Sequence, residues 1–207
     1  MWQPANPVEL LSDGRVFGTE RRVRLGDVTP KGRLRLDATA RYLQDIANDD
    51  AVDGAYSDIH GWVVRRTEMW VHVDMQTMKP TPLPEDFLSM VHIASAGRKI
   101  RANLMVGRSL PPLDAPGATS EAWPVRFADM DAVGHMNNAS YWIALEEYLS
   151  THSDARRAPL HATVEHHLAV DPGDEVRIVT QDLGERVVLR HVLSDNRVAA
   201  VTQLVSL

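Results

Sequence analysis

The 207-residue chain contains no cysteine. That absence removes disulfides, thiolate metal ligands and a cysteine nucleophile together, and it fits a reducing compartment. No apolar run approaches the roughly 20 residues needed to cross a bilayer. The opening Met1-Trp2-Gln3-Pro4-Ala5-Asn6 has neither the basic stretch nor the apolar core of an export leader, so a cytoplasmic location is expected. Phosphate-cradling glycine loops of the Walker or dinucleotide type are missing, as is the Gly-x-Ser-x-Gly elbow of many serine hydrolases. Basic residues are outnumbered, 22 against 28 acidic, and the resulting net charge of −6 argues against broad binding to nucleic acid.

What is present is the mixture of a soluble globular protein, 44% hydrophobic and 24% charged, in a length that suits one large or two small domains. The chain is also written twice. Val23-Arg24-Leu25-Gly26-Asp27 returns 102 residues later as Val125-Arg126-Phe127-Ala128-Asp129, and at the same offset Gly32 meets Gly134 and Leu43 meets Leu145. Each copy runs from a strand through a tight turn into an amphipathic helix.

In the second copy the pattern predicts a strand over 124–128, a polar turn over 129–138, and a helix over 139–149 with Asn138 as N-cap. Alternating segments at 160–168, 175–182, 185–193 and 197–206, separated by Gly, Asp and Asn turns, predict an antiparallel meander. In the first copy the pattern predicts a strand over 15–25 and a helix over 37–51 with Ala40, Leu43 and Ala47 inward. One strand over 61–73 and a candidate over 99–106 follow. Two strands after the first helix, against four after the second, make the first copy an incomplete sheet or one whose meander is partly missing from this chain. The expected organisation is α+β, with a shortened repeat over 1–108, a linker over 109–123 and a second repeat over 124–207.

The turn of the second copy carries the chemistry. It sets Asp131, His135, Asn137 and Asn138 on the loop that feeds a helix, where backbone N–H groups lack partners and the dipole is positive. Such groups can polarise a carbonyl and hold an oxyanion. Gly134 lets a ligand approach the backbone, and Met136 lies beside it. Asp131 is placed to activate water or to attack directly, and His135 to orient the carboxylate or bind a carrier arm. Asp and Asn also gather in turns for structural reasons alone, and Asn138 reads first as a cap. His161, His166 and His167 share one strand but alternate across it, so they do not form a metal set; no cofactor or metal is expected. Arginines cluster at 21, 22 and 24, at 65 and 66, and at 156 and 157, as a solvated surface or as a dock for an acidic partner.

The run Asp131-Ala132-Val133-Gly134-His135-Met136-Asn137-Asn138 resembles the Asp-x-x-Gly-His-x-Asn-Asn signature of hot-dog thioesterases. Arg24 to Leu34 and Trp62 to Met69 are similar to segments of the acyl-ACP thioesterases, which hold two hot-dog repeats in one chain. The resemblance implies hydrolysis of fatty-acyl thioesters, with the acyl chain between helix and sheet, Asp131 and His135 catalytic, and Gly134, Met136, Asn137 and Asn138 at the substrate. It implies acyl carrier protein or coenzyme A as the carrier, and a homodimer is expected. Val133 stands where plant members carry asparagine. Ala169 stands where they carry a glutamate, with Glu165 four residues earlier as the remaining carboxylate candidate. The first copy has Thr29 and Arg33 in place of Asp131 and His135, so one active site per chain is expected. The alternatives are a non-hydrolytic acyl-binding module and a thioesterase for small or aromatic acyl groups.

Overall fold

The computed structural model describes residues 17–53, 59–64, 67–74, 77, 79–94, 106, 109–152 and 160–206. They divide into two compact units, Met1–Gly26 with Arg41–Asn103, and Asp27–Ala40 with Leu104–Leu207. Helix α1 (Leu36–Asp53) runs through the division.

In the first unit, β1 (Ile59–Val64) and β2 (Thr67–Asp74) pair antiparallel, and β3 (Lys79–Thr81) adds to β2. The single strand expected over 61–73 is therefore a hairpin. The sequence between the two strands, Arg65-Arg66, has no glycine, proline or asparagine to announce it. Helix α2 (Glu85–Ala94) was not foreseen, although its start is well marked. Pro84 precedes it, Glu85 and Asp86 lie in its first turn, and the Leu88 N–H reaches the Pro84 carbonyl at 2.9 Å. Residues 17–24 form no regular element in place of the expected strand. Ala38, Ala47 and Ala51 are the buried apolar residues of α1, whereas Leu43, expected inward, is 43% exposed. The candidate strand over 99–106 falls outside the described residues except for Val106.

The second unit is a five-stranded antiparallel sheet carrying α3 (Tyr141–Thr151) on one face. Its strands are β4 (Thr119–Trp123), β5 (Leu160–His166), β6 (Val176–Asp182), β7 (Val187–Leu193) and β8 (Val198–Ser206), in the order β4-β6-β7-β8-β5. The first strand lies in the stretch read as linker, not at 124–128. The last four strands are nearly as expected in extent, but only β6, β7 and β8 form a meander. Strand β5 pairs with β8 at the far edge, with Glu165 opposite Val201. Residues 167–175 must therefore cross the end of the sheet to reach β6, and this crossing brings them to the turn that precedes α3.

Side-chain alternation sorts the sheet into two faces. Ile178, Leu189 and Leu204 pack under Leu145 and Leu149 of α3, and Val176, Leu193 and Ala200 pack near Tyr141. On the opposite face Val188 and Val201 pack with Val106 and Leu110. There a strap is clipped on by buried polar side chains. Gln181 Nε2 donates to the Pro112 carbonyl at 2.9 Å, Arg190 donates to the Pro111 carbonyl at 2.9 Å and to Gln181, and Glu165 Oε1 accepts from the Val106 N–H at 2.8 Å.

Several backbone bonds recur in the two copies. Leu25–Asp27 and Phe127–Asp129 are each one turn of 3-10 helix, and the bridge between Val28 and Leu34 recurs between Met130 and Met136. The Thr29 N–H donates to the Arg33 carbonyl at 2.8 Å, as Asp131 does to His135 at 2.9 Å; Arg35 donates to Asp27 at 2.9 Å, as Asn137 does to Asp129 at 2.7 Å. Gly32 and Gly134 both sit at positive φ, +78° and +88°.

The first-copy turn has a mechanical task. Arg33 grips Glu146 of α3 through two nitrogens, at 3.0 and 2.6 Å, and the Leu36 N–H donates to the same carboxylate at 2.6 Å. Glu146 is buried while Arg33 is substantially exposed, so solvent discounts the charge part of the pairing. Glu146→Ala is expected to cost about 1–3 kcal/mol, chiefly by stranding the Leu36 N–H and loosening α3. Urea denaturation checks this; an unchanged midpoint would show that the grip does not hold the unit together.

Candidate active site

Much of the loop 129–140 is fixed by short-range bonds. Asp129 is buried, and its Oδ2 accepts from the Arg126 N–H at 2.9 Å. Its carbonyl accepts from the Asn137 N–H and from Ser140 Oγ, at 2.7 and 3.2 Å. Asp131 Oδ1 accepts from the Val133 N–H at 2.9 Å and, weakly, from the His135 N–H at 3.4 Å. That is an Asx-type turn, closed by the Gly134 N–H on the Asp131 carbonyl at 3.1 Å. Its second oxygen, Oδ2, takes no hydrogen bond from the described residues, so one lone-pair site of a partly exposed carboxylate remains for a water or substrate.

Helix α3 starts two residues later than expected, and Asn138 is not its cap. Ser140 occupies the cap position without a capping hydrogen bond from its side chain. Asn137 instead does the work of closing the turn, with Oδ1 accepting from the Ala139 N–H at 2.8 Å. The N–H groups of Ser140, Trp142 and Ile143 are taken by the carbonyls of Asn137, Ala139 and Ser140. Those of Asn138 and Tyr141 have no acceptor among the described residues. Backbone N–H groups without an intrahelical partner are able to bind a ligand oxygen.

His135 turns toward the loop that crosses from β5, with Nε2 3.5 Å from Asp171 Oδ1. Met136 is buried, and its N–H donates to the Val170 carbonyl at 2.9 Å, which seals the two loops together. Glu165 is not brought to this place. It lies on the strap face of the sheet, hydrogen-bonded to Val106, with Oε2 3.9 Å from His167 Nε2. Its neighbour His166 points the other way and packs edge-on to Tyr141 at 4.9 Å. The expectation of Glu165 beside Asp131 is thus corrected by strand parity, and its buried carboxylate anchors the strap.

Sequence reasoning missed Tyr141. It is buried at the start of α3, and the Val170 N–H donates to its phenol oxygen. Burial pushes the phenol up to about 12, and the negative charges of Asp131, Asp171 and Asp174 act in the same direction. The hydroxyl therefore stays protonated at neutral pH beside three carboxylates. An aromatic residue at a helix start is read as core from sequence, and nothing local marks it otherwise. Among the described residues no group of three or more His, Asp or Glu side chains is placed to hold a metal, and no helix is long and apolar enough to cross a membrane.

Beneath Tyr141 lies His191, wholly buried, its ring edge-on to Tyr141 at 4.9 Å and to Trp123 at 6.3 Å. Neither ring nitrogen has a hydrogen-bond partner among the described residues. Burial holds this imidazole down to about 3, from an ordinary 6.5, and nearby His166 adds to the effect. As pH falls below 6.5 the unfolded chain takes up this proton first, so stability is full above 6.5 and is lost toward 3. The slope reaches about 1.4 kcal/mol per pH unit. Urea midpoints are expected to fall between pH 7 and pH 5 in the native chain and to fall less in His191→Phe; equal slopes would refute the assignment.

Residues 115–204 match the sequence model of the acyl-ACP thioesterase C-terminal domain. An uncharacterized protein of Mycobacterium tuberculosis is 22% identical over 241 residues, covering 93% of this chain and 93% of the relative. That alignment is longer than the chain, so the relative carries residues that this chain lacks. An acyl-ACP thioesterase from Bacteroides thetaiotaomicron superposes with a TM-score of 0.59 at 11% identity, covering 87% of this chain and 93% of that one. A 12:0-ACP thioesterase from Umbellularia californica gives 0.56 at 11% identity, covering 88% and 93%. A proposed oleoyl thioesterase from Lactobacillus plantarum gives 0.66 at 13% identity, covering 95% and 98%. These likenesses show the fold, a mixed helix and antiparallel-sheet architecture of the hot-dog kind.

Proposed function

We propose that the chain is a member of the acyl-ACP thioesterase family, whose C-terminal domain its residues 115–204 match, and that it hydrolyses acyl thioesters at the Asp131 turn. The observation that carries this reading is the state of the turn itself. It holds a carboxylate with one oxygen pinned and the other available, in the same stretch of chain as two backbone N–H groups that have no acceptor among the described residues. A general base needs a fixed carboxylate within reach of water, and an acyl-transfer reaction needs donors where the carbonyl oxygen becomes negative.

In the proposed reaction the thioester carbonyl oxygen sits at the Asn138 and Tyr141 N–H groups. Water held by Asp131 Oδ2 gives its proton to that carboxylate as its oxygen bonds to the carbonyl carbon. The tetrahedral intermediate then collapses with departure of the thiolate, which takes up a proton, and the free acid leaves. His135 lines the entry to the turn, and Gly134 and Met136 shape its floor. The carrier is acyl carrier protein or coenzyme A. Among the described residues strands β4 and β5 each pair on one side only, which supports association of two copies through an edge.

The test is release of free thiol from acyl-ACP and acyl-CoA panels of varied chain length. Turnover of at least one thioester, with the higher kcat/KM naming the carrier, is expected. A folded chain that releases thiol from none of them would defeat the reading.

A further inference from the structure

The residues that cross from β5 to β6 are held against the Asp131 turn from two sides. The carbonyl of Val170 accepts from Met136 at 2.9 Å, and its N–H donates to Tyr141, while Val170 itself is fully buried. The next residue is Asp171. Its N–H donates to Asp174 Oδ2 at 2.8 Å, its carbonyl accepts from the Asp174 N–H at 3.1 Å, and Gly173 takes φ +92° to close the Asp171-Pro172-Gly173-Asp174 turn. Its carboxylate is thereby set facing His135, with 3.5 Å from Oδ1 to Nε2.

Both side chains of this pair are well exposed, 44% for His135 and 63% for Asp171. Exposed pairs of this kind contribute little to folding. A turn this firmly anchored, presenting a pair of so little structural value, makes sense if the imidazole must be held in one orientation. We propose that Asp171 is a positioning residue for His135: it takes the Nε2 proton as a hydrogen-bond acceptor and so leaves Nδ1 as the ring atom presented to substrate. The role rests on the thioesterase reading, in which His135 stands at the mouth of the site. Among the described residues the charged group that faces the imidazole is Asp171; Asp131 lies four residues back on the same turn, and Asp131, Asp171 and Asp174 all act on Tyr141 of α3.

The test is a double-mutant cycle on the best thioester substrate. Asp171→Ala is expected to lower kcat about tenfold with KM little changed, within the coupling seen for residues in contact. The same substitution should have no further effect in a His135→Ala background, and Asp171→Glu should recover most of the loss. Additive effects in the double variant, or an Asp171→Ala protein with native kcat, would overturn the proposal, as would a loss of kcat explained by lowered thermal stability. Long-range 1H–15N NMR of the His135 ring supplies an arm independent of turnover. The native chain should show the Nε2–H tautomer, and Asp171→Ala should lose that preference. If the native chain hydrolyses no thioester but shows the tautomer and loses it in the variant, the positioning stands and the hydrolytic reading fails. An unchanged tautomer in the variant defeats the positioning itself.

Discussion

Replacing Asp131 by asparagine is expected to lower kcat/KM for acyl thioesters by about 10²–10⁴-fold, the usual contribution of a positioned general base. The substitution is nearly isosteric. The amide oxygen can still accept from the Val133 N–H at the 2.9 Å position of Oδ1, so the turn should keep its shape. What is lost is the basic oxygen at Oδ2. A fall in kcat with KM nearly unchanged would place the lost interaction in the transition state. The circular dichroism spectrum and urea midpoint should remain native. If activity falls only because the midpoint falls, Asp131 is a turn residue and the base lies elsewhere.

The second large effect concerns the support beneath the site. Leu145 is fully buried in α3 and packs over Ile178, Leu189 and Leu204 of the sheet. Leu145→Ala should destabilise the chain by about 2–5 kcal/mol, the lost burial plus the cavity left behind. Helix α3 also carries Tyr141 and the Glu146 anchor. Activity at temperatures well below unfolding should therefore drop more than in an exposed-face control such as Glu147→Ala. A loss below about 1 kcal/mol would mean that the helix does not pack on the sheet as described. The counterpart Leu43 of the first copy is largely exposed, and Leu43→Ala should cost far less.

Much of this was legible in the sequence, for identifiable reasons. The Asp131 turn could be read because its chemistry is local: a repeated strand end, a glycine needing positive φ, and a run of polar residues before an apolar helix. The limits of β6, β7 and β8 were legible because Gly184 and the Ser194-Asp195-Asn196 run mark real turns. The order of the strands was not. Nothing in the alternation of 160–168 says that β5 joins the far edge beside β8, and that placement is what delivers Val170 and Asp171 to the turn. Strand β4 was missed by a few residues because Pro124 to Ala128 is as apolar as Thr119 to Trp123, and local pattern does not choose between them. The placement of Glu165 away from Asp131 was not legible for the same reason. Strand parity fixes it only once the partner face is known, and a resemblance four residues out of register could not supply it. The Arg33 grip on Glu146 joins residues 113 positions apart, and no local signal foretells it. The offset alignment did foretell that the first copy lacks the acid and imidazole. What took their place is a basic anchor.

The most direct test of the central claim is a single-turnover experiment, with native chain in excess over an acyl thioester and the products quantified by mass spectrometry. The account predicts equimolar free acid and free thiol from the native chain, and intact thioester from Asp131→Asn. Intact thioester held by the folded native chain would contradict it, and would make the protein an acyl-thioester-binding module built on the same fold.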